Sequence, residues 1–127
     1  MLYLSMNVRF EMDLSIQINK NILVLNGKEI KFDHDIRQFK TIGDDVVVLL
    51  AIPNNDNTLD NIYCYASYGI IKWQVQPIKE AFPEMKQVFP FEQMSVINGQ
   101  ISASDFYGRR FMIDPETGKI TKKDIVK

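Results

Sequence analysis

Apolar and polar residues alternate with a period of two along most of this chain, the spacing that puts side chains on opposite faces of a β-strand. Leu14-Ser15-Ile16-Gln17-Ile18 alternates in this way. Ile22-Leu23-Val24-Leu25 then runs into Asn26-Gly27, and Glu29-Ile30-Lys31-Phe32 returns. Asn-Gly between two strand-like runs predicts a type I′ hairpin, because both central residues of that turn need positive φ. A strand over 36–42 follows, then a turn at Gly43-Asp44. Val46-Val47-Val48-Leu49-Leu50-Ala51-Ile52 has no polar face, which predicts a strand covered on both sides. The polar loop Pro53–Thr58 leads to strands over 62–66 and 70–75 around Ser67-Tyr68-Gly69.

Residues 77–91 break the alternation. Pro77, Pro83 and Pro90 exclude a central strand. Pro83 suits a first helical residue, and Met85, Val88 and Phe89 share a helical face, so the spacing predicts one short helix over 83–89. The last third returns to hairpins at Asn98-Gly99, Tyr107-Gly108 and Asp114–Gly118. The expectation is an all-β chain, residues 1–127 forming one domain. Its antiparallel hairpins make a folded-over sheet, either a sandwich or a partial barrel with propeller-blade character. Trp73 is expected in the core near Leu50 and Ile71.

Three stretches share one plan: Leu23–Phe32, Tyr63–Trp73 and Phe111–Lys122. Each has an alternating strand, a turn closed by glycine and a second strand. Gly27, Gly69 and Gly118 stand 42 and 49 residues apart, a spacing typical of repeat architectures. With its Asp114 and its Thr117-Gly118-Lys119 turn, the third stretch resembles the outer hairpin of quinoprotein-type (PQQ-type) β-propeller blades. Tyr63–Trp73 matches the plan with its tryptophan in place. The chain is similar to short uncharacterised bacterial proteins that carry such hairpins outside any full propeller. A propeller needs at least four blades of roughly forty residues, and this chain has room for at most three. The resemblance therefore implies hairpin geometry and no quinone cofactor.

Composition narrows the function classes. The chain is 46% hydrophobic and 24% charged, ordinary globular usage. Its 15 basic and 16 acidic residues balance to −1, so no nucleic-acid or membrane partner is indicated. No apolar run approaches the ~20 residues of a spanning helix. Met1–Met6 lacks a basic leader, and with a single cysteine, Cys64, these features suggest a cytoplasmic protein.

Candidate chemistry is sparse. The sole histidine stands in Asp33-His34-Asp35, where a hydrolase would find a base or ligand. Neighbours on a strand point to opposite faces, so neither aspartate faces the imidazole, and a solvated strand end is favoured. Asn54–Asp60 lacks the glycine and glutamate of a calcium loop. Cys64 reads as a buried hydrophobe. Tyr107-Gly108-Arg109-Arg110-Phe111 mixes aromatics with arginines, but its two arginines point to opposite faces.

Neither a catalytic, a cofactor-binding nor a metal-ligating set emerges. The leading expectation is a non-enzymatic protein-interaction module, monomeric or weakly dimeric, with Phe82, Phe91, Tyr107 and Arg109 as contact residues. The alternative is a small-ligand module with a pocket between the sheet and residues 77–91. Behind both stands a hydrolase using Asp33, His34 or Asp35. The second face of Val46–Ile52 is expected to be covered by Phe82, Met85, Val88, Phe89 and Phe91, by a second copy or by a partner.

Overall fold

Three successive antiparallel meanders follow one another along the chain. The computed structural model describes residues 14–125; Met1–Met6, read above for targeting, lies outside them. The first sheet holds β1 (Ile16–Asn19), β2 (Ile22–Leu25) and β3 (Lys28–Lys31) in that order. The second holds β4 (Ile36–Ile42), β5 (Asp45–Leu50), β6 (Ile62–Tyr65) and β7 (Ile71–Gln74). After α1 (Ile78–Ala81), the third holds β8 (Phe91–Ile97), β9 (Gln100–Asp105), β10 (Arg109–Ile113) and β11 (Ile120–Ile125). Every pairing is between sequence neighbours, so each sheet is local in the chain. The expected all-β class holds, with three separate sheets in place of one sheet folded over and with no closed barrel.

The expected turns are all present. Asn26 and Gly27 have φ of 48° and 85°, and Asn98 and Gly99 have 51° and 75°, so both Asn-Gly pairs carry the double positive φ of a type I′ turn. The three repeated stretches fall on β2–β3, β6–β7 and β10–β11, the last hairpin of each meander.

The all-apolar run resolves into β5, whose alternate residues serve two cores. Val46, Val48 and Leu50 pack with Leu23, Leu25 and Phe32 against the first sheet. Val47 and Leu49 pack with Phe91, Phe111 and Ile113 of the third sheet. One face of this strand is therefore covered by the first sheet, which the sequence did not announce, and the other by the core that holds Phe91 and against which Phe82, Met85 and Val88 pack, four of the five residues expected there. Burying each of these large side chains contributes about 1.5–3 kcal/mol, which makes the middle sheet the structural centre.

The helix is also displaced. It spans Ile78–Ala81, after Pro77 at its N-cap, and not 83–89. Pro83 forces the preceding residue out of helical geometry, and Phe82 sits at φ −135°, ψ 79°. The residues beyond it still fold back: Phe82, Met85 and Val88 pack on the core between the second and third sheets.

Polar side chains lock the layers. Buried Asn61 donates to the carbonyls of Leu50 and Phe91, both at 2.8 Å, and accepts from the Phe91 N–H at 2.9 Å. Gln38 Oε1 accepts from Met94 N–H at 2.9 Å. Trp73 is buried as expected and donates its indole N–H to the Pro115 carbonyl at 2.8 Å. Its expected neighbours differ, because Leu50 belongs to the other core and Ile71 is exposed. Trp73 packs instead on Gly118, where an added Cβ would lie 2.7 Å from the indole. Lys28 occupies the same relation to Gly69 one sheet earlier. A side chain from one sheet thus fits the glycine turn of the next.

Candidate functional site

Two regions gather the chemistry. The first lies between the first and second sheets. β3 runs into Phe32–Asp35, and the loop between β5 and β6 brings Asp56 across to it. Asp56 makes a local turn, its Oδ1 accepting from the Thr58 backbone N–H at 2.8 Å and the Thr58 hydroxyl at 2.6 Å. Its Oδ2 is 2.8 Å from His34 Nε2. The Thr58 hydroxyl above all, then His34, hold the Asp56 carboxyl at about 2, below the usual carboxylate range. An ionised carboxylate only accepts, so His34 Nε2 carries the proton of this bond, and in the neutral ring Nδ1 is the unprotonated nitrogen.

The partner of His34 is therefore neither Asp33 nor Asp35, as strand alternation required. It comes from 22 residues away, in the loop read only as a polar connection. The signal that could have found it is Asp-x-Thr, the sequence of a side-chain turn. Around the pair is a cleft of about 210 Å³ whose walls include Lys31, Phe32, Asp33, Tyr63 and Tyr65. Burial, with help from Asp33 and Asp60, pushes the Tyr63 hydroxyl up. None of residues 77–91 lines this cleft. It is therefore not the pocket expected between the sheet and that segment, whose Phe82, Met85 and Val88 pack on the core.

The second region is the β9–β10 turn. Asp105 ends β9 with its side chain fully buried, and it clasps the turn from inside. Its Oδ1 accepts from the N–H groups of Tyr107 and Arg109, at 2.9 and 3.1 Å, and its Oδ2 from Arg109 Nε at 2.7 Å. Arg109 also donates to the Gln87 carbonyl at 3.2 Å and lies over the Phe89 ring at 5.3 Å. Its Nη2 is buried without a partner among the described residues. Phe89 and Tyr107 are 4.9 Å apart and Tyr107 and Phe106 5.4 Å, between ring centroids. Phe106 and Tyr107 are 77% and 62% exposed.

Of the expected contact residues, the fold brings Tyr107 and Arg109 together. Phe91 is 1% exposed, edge-on to Phe111 in the core, and is corrected from contact residue to core residue. It opens β8, which packs against β4 and β5 of the second sheet. Phe82 is partly buried, 6.3 Å from Phe111 and capped by the Lys123 ammonium at 4.8 Å, away from the turn. Phe89, expected to cover the second face of Val46–Ile52, instead joins Tyr107 and Arg109, and Phe106, one residue before the aromatic–arginine stretch, completes the cluster and escaped the sequence reading. Arg110 points away and pairs with Asp124 at 3.1 Å, as alternation predicts.

Cys64 is 1% exposed and burial pushes its thiol up to about 12, so it is no thiolate at neutral pH. No group of three or more metal-ligating side chains occurs among the described residues. No helix among them is long and apolar enough to cross a membrane. No curated protein and no solved structure matches the chain. A family model does match, over residues 13–125, and the chain belongs to that family, DUF7957, a domain of unknown function.

Proposed function

We propose that this chain is a non-enzymatic protein-interaction module that engages its partner through the β9–β10 turn. The observation that carries the reading is the pairing of two highly exposed aromatics, Phe106 and Tyr107, with a buried clasp, Asp105. Binding energy concentrates in a few aromatic and arginine anchors held rigid before the partner arrives. This turn has both kinds of anchor and little conformational freedom left to lose. Arg109, neutralised by Asp105 and lying over the Phe89 ring, braces the turn behind the exposed aromatics.

The same proposal takes the protein as a cytoplasmic monomer or weak dimer, a setting supported by its single, buried thiol. It also takes the chain as kin to short bacterial proteins with propeller-type hairpins. The support is that all three motif stretches occupy the same hairpin of consecutive meanders.

The test compares wild type with a Phe106→Ser, Tyr107→Ser double variant as baits in the native host. A chain retained in stoichiometric amount by wild type and lost from the variant is the expected result. Truncating such anchors costs about 2 kcal/mol or more, roughly thirtyfold in affinity. An Ile70→Ser, Ile97→Ser variant, altered at exposed apolar residues elsewhere, should retain the partner. Identical partners on wild type and the aromatic variant, with both folded, would refute the proposal.

A further inference from the structure

The cleft beside His34 is not used by the turn, and its walls have a chemistry of their own. We propose that it is a binding site for one neutral sugar unit. Size gives the first constraint: at about 210 Å³ it falls below the pockets that take drug-sized ligands, and it suits a single small ring.

The second constraint is charge. Lys31 and Asp33, two residues apart on the β3 exit, place one positive and one negative group at the same opening. A phosphate would meet Asp33, and a dication would meet Lys31. A neutral polyhydroxylated ring uses both, because each hydroxyl donates and accepts. The third constraint is the wall. Tyr63 and Tyr65 share one face of β6, and Phe32 lies 5.5 and 5.9 Å from them between ring centroids. Such aromatic faces suit the C–H side of a saturated ring.

The His34–Asp56–Thr58 chain is the part that looks built. With Nε2 held by Asp56 and Asp56 held by two bonds from Thr58, the imidazole is fixed in ring orientation and in tautomer. That leaves Nδ1 for a ligand hydroxyl, which the neutral ring would accept from and the charged ring donate to. A merely solvated strand end has no need of a three-residue scaffold. Asn61 also lines the cleft, but its amide is fully committed to Leu50 and Phe91, so it holds the walls in place and leaves recognition to the others.

The experiment exploits the fact that His34 is the only histidine in the chain. Its imidazole C–H resonances are a single reporter inside the cleft. The folded protein is titrated at constant pH with D-glucose, D-galactose, D-mannose and N-acetyl-D-glucosamine, with inorganic phosphate as the charged control. At least one sugar should move the His34 resonances saturably, with a millimolar Kd. Lys31→Ala and Asp33→Ala change exposed rim residues and spare the core, and each should raise that Kd about fivefold, the value of one hydrogen bond. Phe106→Ser, Tyr107→Ser should leave it unchanged. The proposal is overturned if none of the four sugars gives a saturable shift. It is equally overturned if phosphate saturates at lower concentration than any sugar, or if neither rim variant alters the Kd.

Discussion

Replacing Gly118 by alanine tests the contact on which the second and third sheets meet. Two effects are expected at once. Gly118 has φ +76°, a left-handed conformation that costs an L-residue about 1–2 kcal/mol. Its new Cβ would also lie 2.7 Å from Trp73 Cδ2 and Cε3. Trp73 has little room to retreat: it is 6% exposed and tied to Pro115 by its indole N–H. Forcing a methyl into such packing adds about 1–3 kcal/mol. The total is about 2–5 kcal/mol.

Gly27→Ala is the control, with φ +85° and nothing within 4 Å of its added Cβ, so it carries the backbone cost alone. Urea unfolding followed by Trp73 fluorescence, the only tryptophan signal, measures both. With a slope of about 1–3 kcal/mol per molar, the midpoints of the two variants should differ by about 1 M. On a Trp73→Ala background, which itself costs about 3–5 kcal/mol, Gly118→Ala should fall to the cost of Gly27→Ala, read by circular dichroism. Equal destabilisation by both glycine variants in the wild-type background would refute the packing argument.

Three further outcomes are expected. Asn61→Ala strands the Phe91 N–H and the Leu50 and Phe91 carbonyls in the interior, and should cost about 2–4 kcal/mol in chemical denaturation; a loss below half a kcal/mol would show that these groups find other partners. Asp56 is held at about 2 against an ordinary 3.8, so the stability it confers is complete above 3.8 and lost as pH falls toward 2. Thr58→Val removes the largest cause, so the variant should melt lower at neutral pH and lose less of its melting temperature between about pH 4 and 2 than wild type; an equal acid loss in the two proteins would contradict the assignment. Native Cys64 should resist iodoacetamide at pH 8 and react once the chain is unfolded, since its thiol is buried and pushed up to about 12; rapid modification of the folded protein would show an opening that the packing does not provide.

The hairpins were legible because their signals are local. Asn26-Gly27 and Asn98-Gly99 prescribe their own φ angles, and strand alternation separates Arg109 from Arg110 whatever lies around them. Val46–Leu50 announced burial on both faces, but not by what, because an apolar run says nothing about which neighbour covers it. The helix moved because two prolines compete: Pro83 was read as a start, whereas Pro77 starts the helix and Pro83 stops it. The site was the least legible part. His34 meets Asp56 across 22 residues, and Arg109 meets Phe89 across 20, pairings made by sheet packing and not by period. Phe91 shows the reverse error: expected as a contact residue, it anchors the core.

The one-after-another order of the strands has a kinetic consequence. Each sheet closes only short loops, so its pairing carries little of the chain-entropy barrier that slows proteins with distant strand partners. Assembly can then proceed by docking preformed hairpins, and the slow event becomes the burial of β5 between its two neighbours. Reversal follows the same geometry. An outer sheet can detach while β5 keeps one covered face, so local opening should begin at the outer sheets, and the amides of Val47 and Leu49 should exchange with solvent last.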